Sequence, residues 1–245
     1  MTGSLASSLS AMSLFESLHA KWRTARGIQR LFGWRELCRS TGLFLLERFA
    51  GYRAALVFAL PTASCPDPTL PDGLSFTFLE PDQIDRGLLA QTGWTVERLQ
   101  ERALQGRRFI VGIKHGRQCY FSVTNSRDFA IGGRFRVRLS ERGQAYVGGC
   151  YTAADYRGQG IYPLALQSLA RRLATEGKNW LFLNIEVVNV SSIRGVGKAG
   201  FRPVAKASVF RRPFLRRTWR MLPLEKDWQL CGAREWSRVP NLEDG

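Results

Sequence analysis

The chain has 245 residues, long enough for one large domain or one domain with sizeable extensions. Its 44% hydrophobic and 23% charged residues are ordinary for a globular protein, and no run approaches the roughly 18 apolar residues of a membrane span. Thirty-six Lys and Arg against 20 Asp and Glu leave a net charge of +16, which draws anions: nucleic acid, acidic phospholipid, an acidic carrier protein or a polyphosphorylated cofactor.

Leu5, Leu9, Met12, Phe15, Leu18, Trp22 and Ala25 recur at steps of three and four, the spacing of an amphipathic helix. A second helical stretch follows from about Gly27 to Gly51. Between residues 20 and 53 stand eight basic residues and two acids, Glu36 and Glu47. Such a helix either lies on an anionic membrane surface or packs on its own domain with a solvated Arg face. The segment 61–73, PTASCPDPTLPDG, holds four of the ten prolines and reads as a linker.

From Leu74 onward helices and strands alternate. SFTFLE predicts a strand and DQIDRGLLAQTG a short helix, and Thr95 is placed to cap the helix TVERLQERALQ. RRFIVGIKHGRQCYFSVTNS predicts two strands about a turn at His115-Gly116, which makes His115 a turn residue rather than a catalyst. RFRVRLSERGQAYVGGCYTA predicts two more about a turn near Arg142-Gly143, with Arg134, Arg136 and Arg138 on one outer face. A helix over 161–176, the strand WLFLNIEVVN, a short helix SSIRGVGKAG and a terminal strand FRPVAKASVF complete the pattern, which implies a mixed sheet. Between Arg202 and Arg220 there are seven basic residues and no acids.

The five cysteines, Cys38, Cys65, Cys119, Cys150 and Cys231, are odd in number and widely spaced, with no C-x-x-C pair. With His19 and His115 as the two histidines, no zinc spacing exists; no metal is expected, and reduced thiols in the cytoplasm are.

The segment Tyr156-Arg157-Gly158-Gln159-Gly160-Ile161 turns a strand directly into an amphipathic helix whose apolar side is Leu164, Leu166, Leu169 and Leu173, and Gly177 ends that helix. Free N–H groups at a helix start, together with the helix dipole, make a seat for phosphate oxygens. Gly158 and Gly160 let a phosphate approach without a Cβ in the way, and Arg157 adds positive charge. No G-x-x-x-x-G-K-[ST] loop is present, and GVGKAG at 195–200 follows a helix start and precedes a strand, the reverse of the dinucleotide order.

Arg157, Gly160 and Tyr162 line up with Q/R-x-x-G-x-G/A, and Asn189, Ser192, Ile193 and Lys198-Ala199-Gly200-Phe201 with N-x-x-[SA]-I…K-x-G-F. In both motifs the chain resembles the GNAT superfamily of acyl-CoA N-acyltransferases, over roughly residues 75–212. Two positions depart: the sixth of the first motif, usually Gly or Ala, is Tyr162, and Val196 stands where many members carry a Tyr that protonates the leaving thiolate.

The resemblance implies an α/β fold, a mixed and mostly antiparallel sheet with a splayed parallel pair at 145–153 and 180–188, flanked by helices. The resulting division is a basic helical extension over 1–60, the linker at 61–73, an acyltransferase domain over 74–212 and a basic tail over 213–245. The resemblance further implies that acetyl-CoA, or another acyl-CoA, is co-substrate. Its pantetheine would pair with Tyr151, Thr152 and Ala153, and its pyrophosphate would sit on Arg157, Gly158, Gln159, Gly160, Ile161 and Tyr162. Asn189 and Ser192 either contact it or cap the following helix. A small amine acceptor would attack the thioester directly, with a backbone N–H near Tyr151 or Thr152 on the developing oxyanion. Glu186 is the first candidate for general base, against an ion pair with one of the many arginines. Tyr151 and Tyr162 are each an acid or a packing residue.

Three functions compete: a cytoplasmic N-acyltransferase of small amines, a transferase of longer acyl chains at the inner face of a membrane or on a carrier protein, and a catalytically silent acyl-CoA-binding module. Nucleic acid as partner has only the charge in its favour, with no reading motif.

Overall fold

The computed structural model describes residues 53–131, 135–137, 139, 143–210 and 218–224, with the isolated helical positions Cys38 and Gly42. The chain divides into two compact units, residues 54–208 with 219–245, and residues 1–53 with 209–218. Of the second unit only strand ends and those two isolated positions are described. The expected helices before Gly51, the Arg134–Arg138 face and most of the basic tail lie outside the described residues.

The strands are β1 (Arg53–Pro61), β2 (Leu74–Leu79), β3 (Arg108–Lys114), β4 (Arg117–Asn125), β5 (Phe129–Ile131), β6 (Phe135–Val137), β7 (Gln144–Thr152), β8 (Trp180–Glu186), β9 (Arg202–Phe210) and β10 (Thr218–Pro223). The helices are α1 (Arg86–Thr92), α2 (Val96–Leu104), α3 (Ile161–Thr175) and α4 (Val190–Lys198). Eight strands form one sheet in the order β10-β9-β1-β8-β7-β4-β3-β2, and β5 pairs with β6 apart from it. β7 and β8 run parallel, while β2–β3, β3–β4, β4–β7 and β1–β8 are antiparallel. The mixed, mostly antiparallel sheet with flanking helices is the fold that the sequence implied.

Alternation along the strands gives the sheet two apolar faces. On one, α3 lays down Ile161, Ala165, Leu166, Leu169, Ala170 and Leu173 against Phe58, Leu60, Ala145, Val147, Leu181, Leu183 and Ile185, and α4 adds Val196, with Ala199 just past its end. On the other, Leu88 and Leu89 of α1 and Leu99 of α2 pack on Phe109, Val111, Phe121 and Val123. Farther along that second face Val57, Ala59, Phe182, Val204 and Ala205 form a smaller cluster.

The helix ends follow local chemistry. Asp85 and Thr95 cap α1 and α2 by accepting from the N–H groups of Leu88 and Arg98. α3 ends in a left-handed Gly177, φ +75°, with Lys178 N–H donating to Leu173 O at 2.9 Å and Gly177 N–H to Ala174 O at 3.0 Å.

Two boundaries differ from the sequence reading. Residues 53–61 are not the end of a helical extension: AALVFALP is apolar on both sides, as a strand inside a sheet must be, and pairs with β8 from Ala55↔Glu186 to Pro61↔Trp180. The Pro-rich segment joins β1 to β2 of the same sheet and is strapped across α3. Thr62 N–H donates to Asn179 O at 3.0 Å, Cys65 is buried, and Arg171 pairs with Asp67 through Nη2–Oδ2 at 3.1 Å. Residues 218–223 of the expected tail likewise form a strand.

Leu169 is fully buried and Leu104 is 87% exposed. Leu169→Ala is expected to lower the unfolding free energy by about 2–5 kcal/mol in urea titration. Leu104→Ala should stay within about 0.5 kcal/mol of the parent.

Candidate functional site

The parallel ladder between β7 and β8 holds for three residue pairs, Gln144↔Trp180, Ala145↔Leu181 and Tyr146↔Phe182. Beyond them the strands have no pairing with each other, so Val147–Thr152 presents a bare edge towards β8. The cause lies on the opposite edge of β7. Its register with β4 slips by one residue between Val123↔Gly148 and Phe121↔Tyr151, and Gly149 takes φ +60°. One inserted residue with a left-handed glycine is a β-bulge, which bends and twists its strand. The closed end of the gap is bridged by the hydroxyl of Tyr146, which donates to Asn184 Oδ1.

At the open end stand the starts of two helices. α3 begins at Gly160, φ +76°, with no side-chain cap. The N–H groups from Gly158 to Tyr162 find no acceptor among the described residues, and Pro163 has no N–H. A Cβ at Gly158 or Gly160 would meet nothing within 4 Å, so the turn is an open cradle of backbone donors. Positive charge gathers round it. Arg157 Nε donates to Thr152 O at 3.1 Å, and its guanidinium lies 5.3 Å from the Tyr151 ring centre. Lys114, from the end of β3, donates to Gln159 Oε1 at 2.6 Å, and Gln159 Nε2 donates to Asp155 O at 3.1 Å. Each cation keeps protons to spare for an anion.

α4 is capped by Asn189, whose Oδ1 accepts from Ser192 N–H at 3.2 Å and from Ser191 Oγ at 3.0 Å. Of the two readings left open for Asn189 and Ser192, the cap is present. GVGKAG falls within and just after α4 and is no dinucleotide loop.

The two faces of the gap differ. On the α3 side, Cys150 of β7, Tyr120 of β4 and Tyr162 of α3 adjoin one another. The Tyr120 and Tyr162 ring centres are 6.4 Å apart. Burial pushes the Cys150 thiol up to about 11 and both phenols well above their ordinary range. All three are neutral at physiological pH. The hydroxyl of Tyr120 is fully buried; Ser122 and Cys150 are its polar neighbours, but neither completes a hydrogen bond. Val196, buried in the same core, offers no proton.

On the other face, Glu186 lines up with Asn184 and Phe182 at the end of β8 and is exposed. It forms no ion pair among the described residues. Tyr151 packs with the α1–α2 cluster on this same face, and its hydroxyl donates to Gln91 Oε1 at 2.9 Å. Residues 151–153 and 186 thus lie at the ends of the two strands that part and 157–162 on the turn after β7, while Tyr151 spends its proton elsewhere. Sequence reading missed Lys114, whose place depends on β3 ending beside the loop. It also missed the bulge, although two consecutive glycines inside a strand are its signal. Among the described residues no three His, Cys, Asp or Glu side chains come together as metal ligands. No described helix is long and apolar enough to cross a membrane.

No family model matches the chain, and no curated protein matches it in sequence. Solved structures do. A glucosamine N-acetyltransferase region in a fungal multi-domain GH3 β-N-acetylglucosaminidase is similar over 69% of this chain and 22% of that one, with TM-score 0.50 and 13% identity. A GNAT-family acetyltransferase of Colwellia psychrerythraea is similar over 66% of this chain and 57% of that one, at TM-score 0.49 and 17% identity. The yncA protein of Salmonella typhimurium, solved with its cofactor acetyl-CoA, is similar over 63% and 96%, at 0.39 and 18%. The chain spans 57% of the length of several of these neighbours. In fold the chain is similar to that GCN5-related glucosamine N-acetyltransferase region.

Because burial keeps the Cys150 thiol neutral, alkylation of the native protein at pH 8 should label the exposed Cys38 well before Cys65, Cys119 and Cys150. Peptide mass spectrometry over a time course reads the order.

Proposed function

We propose that this chain is an acyl-CoA-dependent N-acyltransferase. The reading is carried by one juxtaposition: a parallel strand pair that parts after three residue pairs, with an uncapped helix start at its open end. The gap admits an extended amide chain that pairs with the free edge of β7. The N–H groups of residues 158–162, with Arg157 and Lys114, suit the pyrophosphate of coenzyme A. The open space over Gly158 and Gly160 fits that group, since any Cβ there would narrow the approach. The likeness in fold to the glucosamine N-acetyltransferase region supports the same reading.

The acceptor in this scheme is a small amine that arrives on the face bearing Glu186, opposite α3. Its neutral nitrogen attacks the thioester carbonyl carbon, and the carbonyl oxygen takes the negative charge beside the unpaired edge of β7, where a backbone N–H near Tyr151 or Thr152 stabilises it. The C–S bond then breaks to give the amide and a thiolate. Glu186 removes the amine proton, directly or through one water, and solvent protonates the thiolate, because Val196 and the hydrogen-bonded Tyr151 supply no acid. Glu186 is suited to this work by its exposure at the rim and its freedom from ion pairing among the described residues.

Acetyl-CoA titrated into the protein in a calorimeter should bind, and free-thiol release should identify the acceptor from a panel of amines. With that acceptor, Glu186→Gln is expected to lower kcat by about 10²–10⁴-fold while leaving acetyl-CoA affinity unchanged. Full activity of the variant would remove Glu186 as base. Binding without turnover on any amine would assign a binding-only role.

A further inference from the structure

At the start of β3 two neighbouring arginines part to opposite faces of the sheet. Arg108 turns to the α3 side, where its guanidinium forks onto Glu176, Nη1–Oε1 at 2.9 Å and Nη2–Oε2 at 2.6 Å. Arg107, two residues before Phe109, continues the face that Phe109 and Val111 turn towards α1 and α2. Its company there is cationic. Its backbone N–H donates to Arg102 O at 3.1 Å, and the Arg127 side chain lies on Gly106, where a Cβ would stand 2.5 Å from Arg127 Cζ. Among the described residues none of Arg102, Arg107 and Arg127 forms an ion pair. Arg102 Nη1 donates to Gln105 Oε1 at 3.4 Å, but its Nε is buried with no acceptor. Burial first, and then the charge of Arg102, pulls the Arg107 guanidinium below the ordinary arginine range, the direction of a cation held without an acid. Like charges kept together in this way are costly until an anion joins them.

The cluster lies on the same face as Glu186. Arg108 pairs with Thr124 and Thr124 with Val147, so the next row runs from Arg107 through Asn125 to Tyr146, about 10 Å over two strand spacings. Tyr146 stands at the throat of the gap. On this face the next residues of β7 are bare: Gly148, whose Cβ would stand 3.0 Å from the Tyr146 ring, and the exposed Gly149, whose Cβ would stand 3.6 Å from the Trp94 indole. The arginines are on the β3–β4 side of this two-glycine floor, and Glu186 is across it on β8.

We propose that Arg107, with Arg102 and Arg127 beside it, seats an anionic group of the acceptor, so that the substrate is a small amine bearing a carboxylate or a phosphate. The inference rests on the acyl-transfer reading given above and narrows it. With its anion on the arginines and its body over Gly148 and Gly149, such a molecule directs its amine across β7 to Glu186 and the thioester. Guanidinium groups suit either oxyanion, because paired N–H donors match two oxygens at once. A polycationic amine would meet like charge at the same place.

Free-thiol release from acetyl-CoA with matched amines tests this: β-alanine against β-alaninamide, and O-phosphoethanolamine against ethanolamine. At least one anionic member is expected to exceed its neutral partner by about 10–100-fold in kcat/KM. Arg107→Gln should erase that preference by raising KM for the anionic amine, with the neutral partner and acetyl-CoA affinity unaffected. Arg127→Gln, at an exposed position, serves if the first variant does not melt cooperatively. Inorganic phosphate, added to protein saturated with coenzyme A so that the helix-start seat is filled, should raise the melting temperature of the parent more than that of Arg107→Gln, relative to chloride at equal ionic strength. Where none of the four amines is turned over, this melt decides. No preference for the anionic member of either pair, or a phosphate shift that is the same in the parent and in both variants, overturns the inference and leaves acyl transfer standing. Failure of acetyl-CoA to bind overturns the acyl-CoA reading, and this inference with it.

Discussion

A single inserted residue in β7 opens the gap on which the candidate site depends. With Gly149 in the left-handed region, the strand slips by one residue against β4 yet keeps pairing with it on one side, and leaves β8 on the other. An interior strand with a bare edge is ordinarily a liability. Here it is tolerated because α3 and α4 roof one side of the opening and the Tyr146–Asn184 bridge stops the parting from spreading down the ladder. Repairing the bulge would restore a continuous sheet and close the gap.

The rims of that opening combine two kinds of surface. At its mouth are backbone donors and the cations Arg157 and Lys114, all suited to a hydrated anion. Deeper, on the α3 side, Cys150, Tyr120 and Tyr162 are kept neutral by burial, so the inner wall holds polar atoms but no charge. The carboxylate of Glu186 stands on the opposite face. A cationic mouth, a neutral inner wall and an exposed carboxylate thus lie on different sides of the gap, and the proposed acyl transfer rests on that separation.

Much of this was legible in the residues. Local signals were enough for α3, because the leucine period, the glycines at 158 and 160 and the stop at Gly177 all act within a few residues of one another. Thr95 and the His115-Gly116 turn were legible for the same reason. β1 was not, since an apolar run such as AALVFALP fits helix or strand alike until its partner is known, and that partner, β8, lies over a hundred residues away. The prolines of 61–73 marked a break in regular structure correctly, but the contacts of Thr62, Cys65 and Asp67 that tie the segment to the domain are tertiary. The GVGKAG stretch was legible as no nucleotide loop from its order of helix and strand, but only the Tyr162 ring beside Gly195 explains the missing Cβ.

The position of β1 has a consequence for how the protein is made. It is the first described strand to be synthesised, yet in the sheet it stands between β8 and β9, the products of the far end of the chain. While the ribosome is still building α3, both of its neighbours are missing, and its apolar sides have no lasting cover. The meander of β2, β3 and β4 has its partners at once and is free to form early. β1 must wait and then slot in when the final third emerges, which leaves a sticky segment in need of shelter throughout most of translation.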